Sequence, residues 1–140
     1  MANTLEDFKV NIKLRLAALW TSLMFCYVYG DFFSLFVPGR IQRLIDGESG
    51  AGETTPLMLL LYAILLALPA LMIFLSVTLK ARVNRLLNII LGVFFTLVMI
   101  LVVLTSLSEW MVFYTFLGVV EIILTCIIVW QAIKWPTLKQ

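Results

Sequence analysis

Apolar residues along this chain gather into four long runs broken by short polar stretches, and the length of the runs is their most telling property. A helix rises about 1.5 Å per residue, so roughly 20 mostly apolar residues cross the hydrocarbon layer of a bilayer. The first run extends from about Leu14 to Val37 and stops at Pro38-Gly39, where proline lacks an N–H and glycine frees the backbone. The second covers 57–79, after Pro56. The third covers 86–107, behind the basic turn Lys80-Ala81-Arg82-Val83-Asn84-Arg85, and the fourth covers 110–135, ahead of Pro136. Short connections between the second, third and fourth runs force antiparallel neighbours. The expected fold is therefore all-α: one membrane domain over residues 1–140, an antiparallel four-transmembrane-helix bundle.

One connection is long. Within the loop 38–56, apolar Ile41, Leu44 and Ile45 follow helical spacing with Arg40 and Arg43 opposite, which predicts a short interfacial helix. Gly47 to Glu53 then has the glycine, serine and acid content of a flexible connector or of a cover over the outer end. Ahead of the first run, Met1 to Asn11 reads either as an amphipathic surface helix or as a frayed terminus. The first run lacks a small-x-small cleavage pattern, so it is expected to be retained as a helix.

Composition agrees with a bilayer protein: 63% of the 140 residues are hydrophobic and 13% charged, with a mean hydropathy of +1.09. Lys9, Lys13, Arg15, Lys80, Arg82, Arg85, Lys134 and Lys139 fall at one side of the bundle, against Arg40 and Arg43 at the other. Positive charge accumulates on the cytoplasmic side, so both termini are expected there. Trp110 and Trp135 fit interfacial belts best, with Trp20 and Trp130 within a few turns of a boundary. A net charge of +2 spread over helix ends makes no nucleic-acid-binding patch. The chain has no histidine, which removes the commonest general base and zinc ligand; no enzymatic activity, metal or cofactor is expected. Cys26 and Cys126 lie mid-run on different helices with no nearby cation, and read as packing residues.

Against this background two acids stand out. Asp31 and Glu121 lie inside apolar runs, at depths of about 10 and 16 Å from the outer end of their helices. Trp20, Met24, Tyr27, Asp31 and Ser34 share one helix face, as do Tyr114, Gly118, Glu121, Thr125 and Ile128. A lipid-facing stripe would be aliphatic, so both faces are expected to point inward. Every Lys and Arg is assigned to a helix end, which leaves the acids no cationic partner. Two carboxyls without a counter-charge in a low dielectric tend to keep at least one proton. The candidate proton, cation or interior polar site is accordingly Asp31, Glu121, Tyr27, Tyr114 and Thr125. Alternatively, each acid is neutral and makes an interhelical hydrogen bond.

Weaker features read as structural. Asn84 and Asn88, one turn apart, suit capping or bonding to exposed backbone; Pro69 suits a kink; Ser76 and Thr78 suit backbone groups near it. Ala63, Ala67 and Ala70 form a small-residue strip for helix contact, within the bundle or between protomers.

The blocks Tyr27-x-Tyr29-Gly30-Asp31, Pro69 to Ser76 with Lys80-x-Arg82-x-Asn84-Arg85-x-x-Asn88, and Glu121 with Trp130 and Lys134-Trp135-Pro136 together resemble a bacterial domain-of-unknown-function family of small four-helix membrane proteins. The layout is similar to that of DoxX-like proteins. The resemblance implies four helices and a bacterial inner-membrane address, and transfers no activity, substrate or catalytic residue. The DoxX-like layout suggests accessory or partner-binding roles.

Two functions fit these observations. One is a proton- or cation-linked transporter or channel subunit that uses Asp31 and Glu121, assembled as a homo-oligomer because a single four-helix bundle encloses little volume. The other is a non-catalytic membrane interaction or assembly protein, whose acids bond helices together or meet a membrane-protein partner. A lipid- or quinone-directed enzyme ranks behind both.

Overall fold

A computed structural model describes residues 5, 7–49 and 52–136. Its elements are α1 (Ile12–Ser34), α2 (Arg40–Ile45), β1 (Glu48–Ser49), β2 (Gly52–Glu53), α3 (Pro56–Thr78), α4 (Ala81–Thr105) and α5 (Val112–Ile133), with a 3-10 turn at Glu109–Met111 leading into α5. The chain is mainly helical, and four helices are long and apolar enough to cross a membrane: Ile12–Ser34, Pro56–Thr78, Ala81–Thr105 and Glu109–Ile133. Their outward surfaces are mostly apolar, with residues such as Leu57, Leu60, Ile64, Leu97, Phe116 and Ile123 exposed. A water-soluble monomer rarely exposes apolar patches of more than a few hundred Å², so this surface fits a multi-pass membrane protein.

Side-chain register fixes the topology. Gly92 of α4 lies against Ile128 and Val129 of α5 while Gly118 of α5 lies against Met99 and Val103 of α4, so these helices are antiparallel. Gly30 of α1 meets Tyr114 and Leu117, which makes α1 antiparallel to α5 as well. Trp20 with Asn88, and Tyr27 with Phe95, step along α1 and α4 in the same direction. The helices therefore run up, down, up, down. We call the end where α1 and α4 begin the base, and the end that carries α2 the crown. α4 packs most extensively on α5, and α1 lies between α5 and α3; α3 meets α4 only sparsely.

Helix ends differ from the sequence expectation for local reasons. α1 stops at Ser34 because Leu35, Phe36 and Val37 donate three-residue turn bonds to Phe32, Phe33 and Ser34 on the approach to Pro38. α4 begins at Ala81, so Arg82 and Arg85 are helical; the whole reversal from α3 is made by extended Leu79 and Lys80. The expected interfacial helix is α2, none of whose residues is buried. The expected flexible connector contains an antiparallel pairing, Glu48 with Glu53 and Ser49 with Gly52, entered through Gly47 at φ 81°; Gly50 and Ala51 lie outside the described residues. Residues 7–11 are not helical, and Asn11 caps α1 by accepting from the Lys13 amide at 2.9 Å. Met1 to Thr4, Glu6 and Lys139 lie outside the described residues.

Cations at the base serve as C-terminal caps. Lys13 Nζ donates to the Leu79 carbonyl at 2.7 Å and the Val77 carbonyl at 3.3 Å, and an Arg85 guanidinium nitrogen donates to the Ile133 carbonyl at 3.2 Å. The last carbonyls of a helix have no partner of their own, and its C-terminal end carries partial negative charge. The basic residues that suggested an orientation therefore also close α3 and α5.

A chain of polar groups crosses the apolar core of the basal half, among buried Leu16, Met72 and Phe95. Trp20 Nε1 donates to Asn88 Oδ1 at 2.8 Å, Asn88 Nδ2 to Asn84 Oδ1 at 2.7 Å, and Asn84 Nδ2 to the Ser76 carbonyl. This chain ties α1, α4 and α3 together. Trp20, about two turns from the start of α1, is fully buried, and its ring meets Phe95 edge-on at 6.1 Å. Pro69 is buried within a helix that continues through it. Ala63, Ala67 and Ala70 are exposed, so their strip is not part of the buried core. Cys126 is also exposed, and packs nothing in the core as was expected of it.

Candidate functional site

Two glycines set the rotation of α5. A Cβ on Gly118 would lie 2.5 Å from Val103 Cγ2, and one on Gly92 would lie 2.6 Å from Val129 Cγ2, so only glycine allows α4 and α5 this close. Between these contacts Thr96 Oγ1 and Thr125 Oγ1 share a hydrogen bond at 2.8 Å. With α5 held this way, Gly118, Glu121, Thr125, Ile128 and Ala132 are buried along one face. Glu121 is 3% exposed.

What Glu121 meets there comes from α1 and from its own helix. Cys26, Tyr27, Tyr114 and Asp31 all lie within its electrostatic range, and none of them is a cation. Its Oε2 has no hydrogen-bond partner, and neither does the buried hydroxyl of Tyr27. The Tyr27 ring leans on Phe95 at 6.4 Å. An uncompensated carboxylate in a low-dielectric interior carries a penalty of several kcal/mol. Two states escape that penalty: the neutral acid, and the carboxylate with a cation supplied from outside the chain.

Asp31 is one helical turn from Tyr27 toward the crown, in a different setting. It is exposed, on the flank of the α1 face whose centre is Trp20, Leu23, Gly30 and Ser34, so the expectation that it points fully inward is corrected. The reason is angular: Gly30, not Asp31, sits against α5, where the missing side chain admits the Tyr114 ring with an atom 3.4 Å from the position a Cβ would take. That approach brings the Tyr114 hydroxyl within hydrogen-bonding reach of the Asp31 carboxyl.

A cation is also present. Arg40, expected to end its helix without reaching either acid, acts electrostatically on both Asp31 and Tyr114, and its Nε is buried without a partner. No ion pair within 4 Å forms among the described residues. The expectation that neither acid has a cationic neighbour is therefore corrected at Asp31. The signal was in the sequence: Pro38-Gly39 turns the chain back, with Gly39 at φ 75°, so the residue that follows returns over the helix end.

Of the five candidate residues, four form one electrostatically connected group: Asp31, Tyr114, Tyr27 and Glu121. Thr125 is diverted from it. Its hydroxyl is engaged with Thr96 and with the Glu121 and Ile122 carbonyls. Sequence reasoning missed Arg40, Thr96 and the joining of Trp20 to Asn88. For the last, the spacing of Asn84 and Asn88 was visible but their partner on α1 was not.

No curated protein and no solved structure matches the chain in comparisons of sequence and fold. A family model does match, over residues 4–139, nearly end to end. With four membrane-compatible helices and nearly its full length matched, the chain belongs to the Family of unknown function (DUF6326).

Proposed function

We propose that this protein is a proton- or cation-linked transporter or channel subunit in which Glu121 is the loading group and Asp31, with Tyr114, is the access group at the crown. The observation that carries this is Glu121: a carboxyl 3% exposed, with Oε2 unpartnered and no cation facing it. Ionisable groups at such depth are expensive, and a group held there without a structural bond has a role other than cohesion. The reading assigns no catalysis, in keeping with a chain that has no histidine. The orientation that suits it puts the base, with Lys13, Lys80, Arg82, Arg85 and Lys134, on the cytoplasmic side of a bacterial inner membrane. Exposed Ala63, Ala67 and Ala70 offer a face for a second copy, which would help enclose a pathway.

Reconstituted vesicles holding a pH-sensitive or cation-sensitive dye test this. Wild-type protein is expected to dissipate an imposed proton or cation gradient, and Glu121→Gln to fall to the leak of empty vesicles. Asp31→Asn is expected to slow the flux without abolishing it. Wild-type vesicles that hold every gradient as well as empty ones defeat the proposal. The second reading, a membrane interaction or assembly protein, is favoured by the same exposed alanine strip, and gains if gradients hold while Ala63→Leu alters co-purifying partners.

A further inference from the structure

We infer that the species held at Glu121 is a proton rather than a metal cation, that the Tyr27 hydroxyl positions it, and that it arrives from the crown. The inference rests on the loading-site reading above and narrows it to one substrate.

Coordination number is the first argument. A dehydrated Ca²⁺ takes about six to eight oxygen ligands, and Mg²⁺ demands near-octahedral geometry. Around Glu121 the oxygens are already engaged. Thr125 Oγ1 is bonded to Thr96, and the Glu121 and Ile122 carbonyls accept from Thr125. Among the described residues no group of three or more His, Cys, Asp or Glu stands close enough to hold a metal ion. The two Glu121 carboxylate oxygens and the Tyr27 hydroxyl are too few to complete the shell of a metal cation. A proton needs only one lone pair and one acceptor, since a neutral carboxyl donates a single O–H and a phenol oxygen accepts it. Glu121 Oε2 and Tyr27 Oη are both buried and unpartnered, so they are not bonded to each other in this structure; each is free to become such a donor or acceptor when a proton is loaded.

Charge is the second argument. The titratable groups that face Glu121 are Cys26, Tyr27 and Asp31 on α1 and Tyr114 on its own helix. α4 has no titratable side chain between Gly92 and Thr105, and the one on α3 is Tyr62, which is exposed. Arg40, the nearby cation, acts on Asp31 and Tyr114. Asp31 therefore has a fixed counter-charge and Glu121 has none, which makes Glu121 the acid that a proton, arriving from outside, neutralises.

Access is the third. Toward the base the interior is filled by buried Trp20, Leu23, Phe95 and Ile128, and behind them the Trp20, Asn88 and Asn84 bonds are closed on one another. Toward the crown lie Tyr114, Asp31 and Arg40. The route runs inward from the Asp31 carboxyl to Tyr114, and the Tyr27 hydroxyl, unpartnered in this structure, has to turn toward Tyr114 and Glu121 before it passes a proton on. Each hydroxyl oxygen accepts one proton as it gives up its own, so both tyrosines end neutral and Glu121 gains the proton Asp31 loses.

Infrared difference spectroscopy of the full chain in lipid, titrated with pH in choline buffer, reads the acid directly. The expected result is a carboxylic C=O band that is lost in Glu121→Gln, kept in Asp31→Asn, and unmoved when Na⁺, K⁺ or Ca²⁺ replaces choline. Tyr27→Phe is expected to keep the band and raise its frequency. If Glu121→Gln does not fold, Glu121→Asp shifts the band in its place. A band abolished by any of the three cations at fixed pH, or no band assignable to Glu121, overturns the proton. A frequency unchanged in Tyr27→Phe overturns the role of Tyr27. Silent vesicles with the band intact defeat the transport reading and leave this one standing; cation flux with a cation-sensitive band does the reverse.

Discussion

Replacing Glu121 by methionine should make the protein more stable. The carboxyl is 3% exposed and its Oε2 has no partner. A buried polar group without a hydrogen bond is a liability of about 1–3 kcal/mol. A bond from the neutral acid to Tyr27 would recover about 0.6 kcal/mol, the average for such bonds between membrane helices. Methionine is unbranched, similar in length and adaptable in packing, and volume-conserving swaps usually perturb a core by less than about 1.5 kcal/mol. The expected net effect of Glu121→Met is a gain of about 1 kcal/mol, at the low end because the unfolded state in a membrane also finds partners. Unfolding in mixed micelles with increasing sodium dodecyl sulfate, followed by helicity, measures it, with Glu121→Gln as the variant that keeps a polar group and stays near wild type. A loss of 1 kcal/mol or more in the methionine variant would refute the reasoning. It would mean that the carboxyl bonds helices together, and the assembly reading would take precedence over transport.

Two further outcomes follow from the packing. Gly118→Ala drives a Cβ to 2.5 Å from the stiff, β-branched Val103 and should lose about 1–3 kcal/mol in the same unfolding assay, whereas Gly30→Ala, with 3.4 Å to a Tyr114 ring atom, should be neutral or slightly stabilising. Equal effects at the two glycines would contradict the α4–α5 crossing. Asn88→Leu strands Trp20 Nε1 and Asn84 Oδ1, an expected loss of about 1–3 kcal/mol for each stranded group, and a double-mutant cycle with Trp20→Phe should show strong coupling. Additive losses would show that the indole and the amide act independently.

Helix number and rough span limits were legible because length and apolarity decide them, whatever the partners. Inward faces were legible on α5, where Gly118, Glu121, Thr125 and Ile128 are indeed the buried residues. On α1 the same spacing argument missed by one position: burial centres on Gly30, leaving Asp31 on the flank. Spacing fixes which residues share a face to within about 100° of rotation, and glycine carries no apolarity to mark the true contact line. The hydrogen-bond partner of the Trp20 indole was not legible for a related reason. Tryptophan favours interfaces when its N–H needs water, and here an asparagine two helices away in sequence supplies the acceptor. Pairings across the bundle depend on three-dimensional register, which periodicity along one helix does not encode. Arg40 escaped notice because the reversal at Pro38-Gly39 was read as an end rather than a return.

The two polar clusters differ in kind, and the difference bears on function. In the basal half, Trp20, Asn88 and Asn84 each place a donor on an acceptor, and Lys13 closes the end of α3. Such a network rigidifies a core when every member is satisfied. Near the crown the reverse holds: Tyr27 Oη, Glu121 Oε2 and Arg40 Nε are buried and unpartnered. Ser76 Oγ and Gln131 Oε1 also lack partners near the base, but they are neutral groups; among the described residues, such atoms belong to ionisable side chains only toward the crown. A bundle selected for cohesion alone could have been satisfied throughout by the means its base already uses. The bonds that hold α3 to α1 and α4 through side chains, from Lys13 and Asn84, also lie at the base. On the proposed reading, a rearrangement that admits a proton to Glu121 would be least costly at the crown, where α3 could move without breaking either bond, with the basal network as the fixed end.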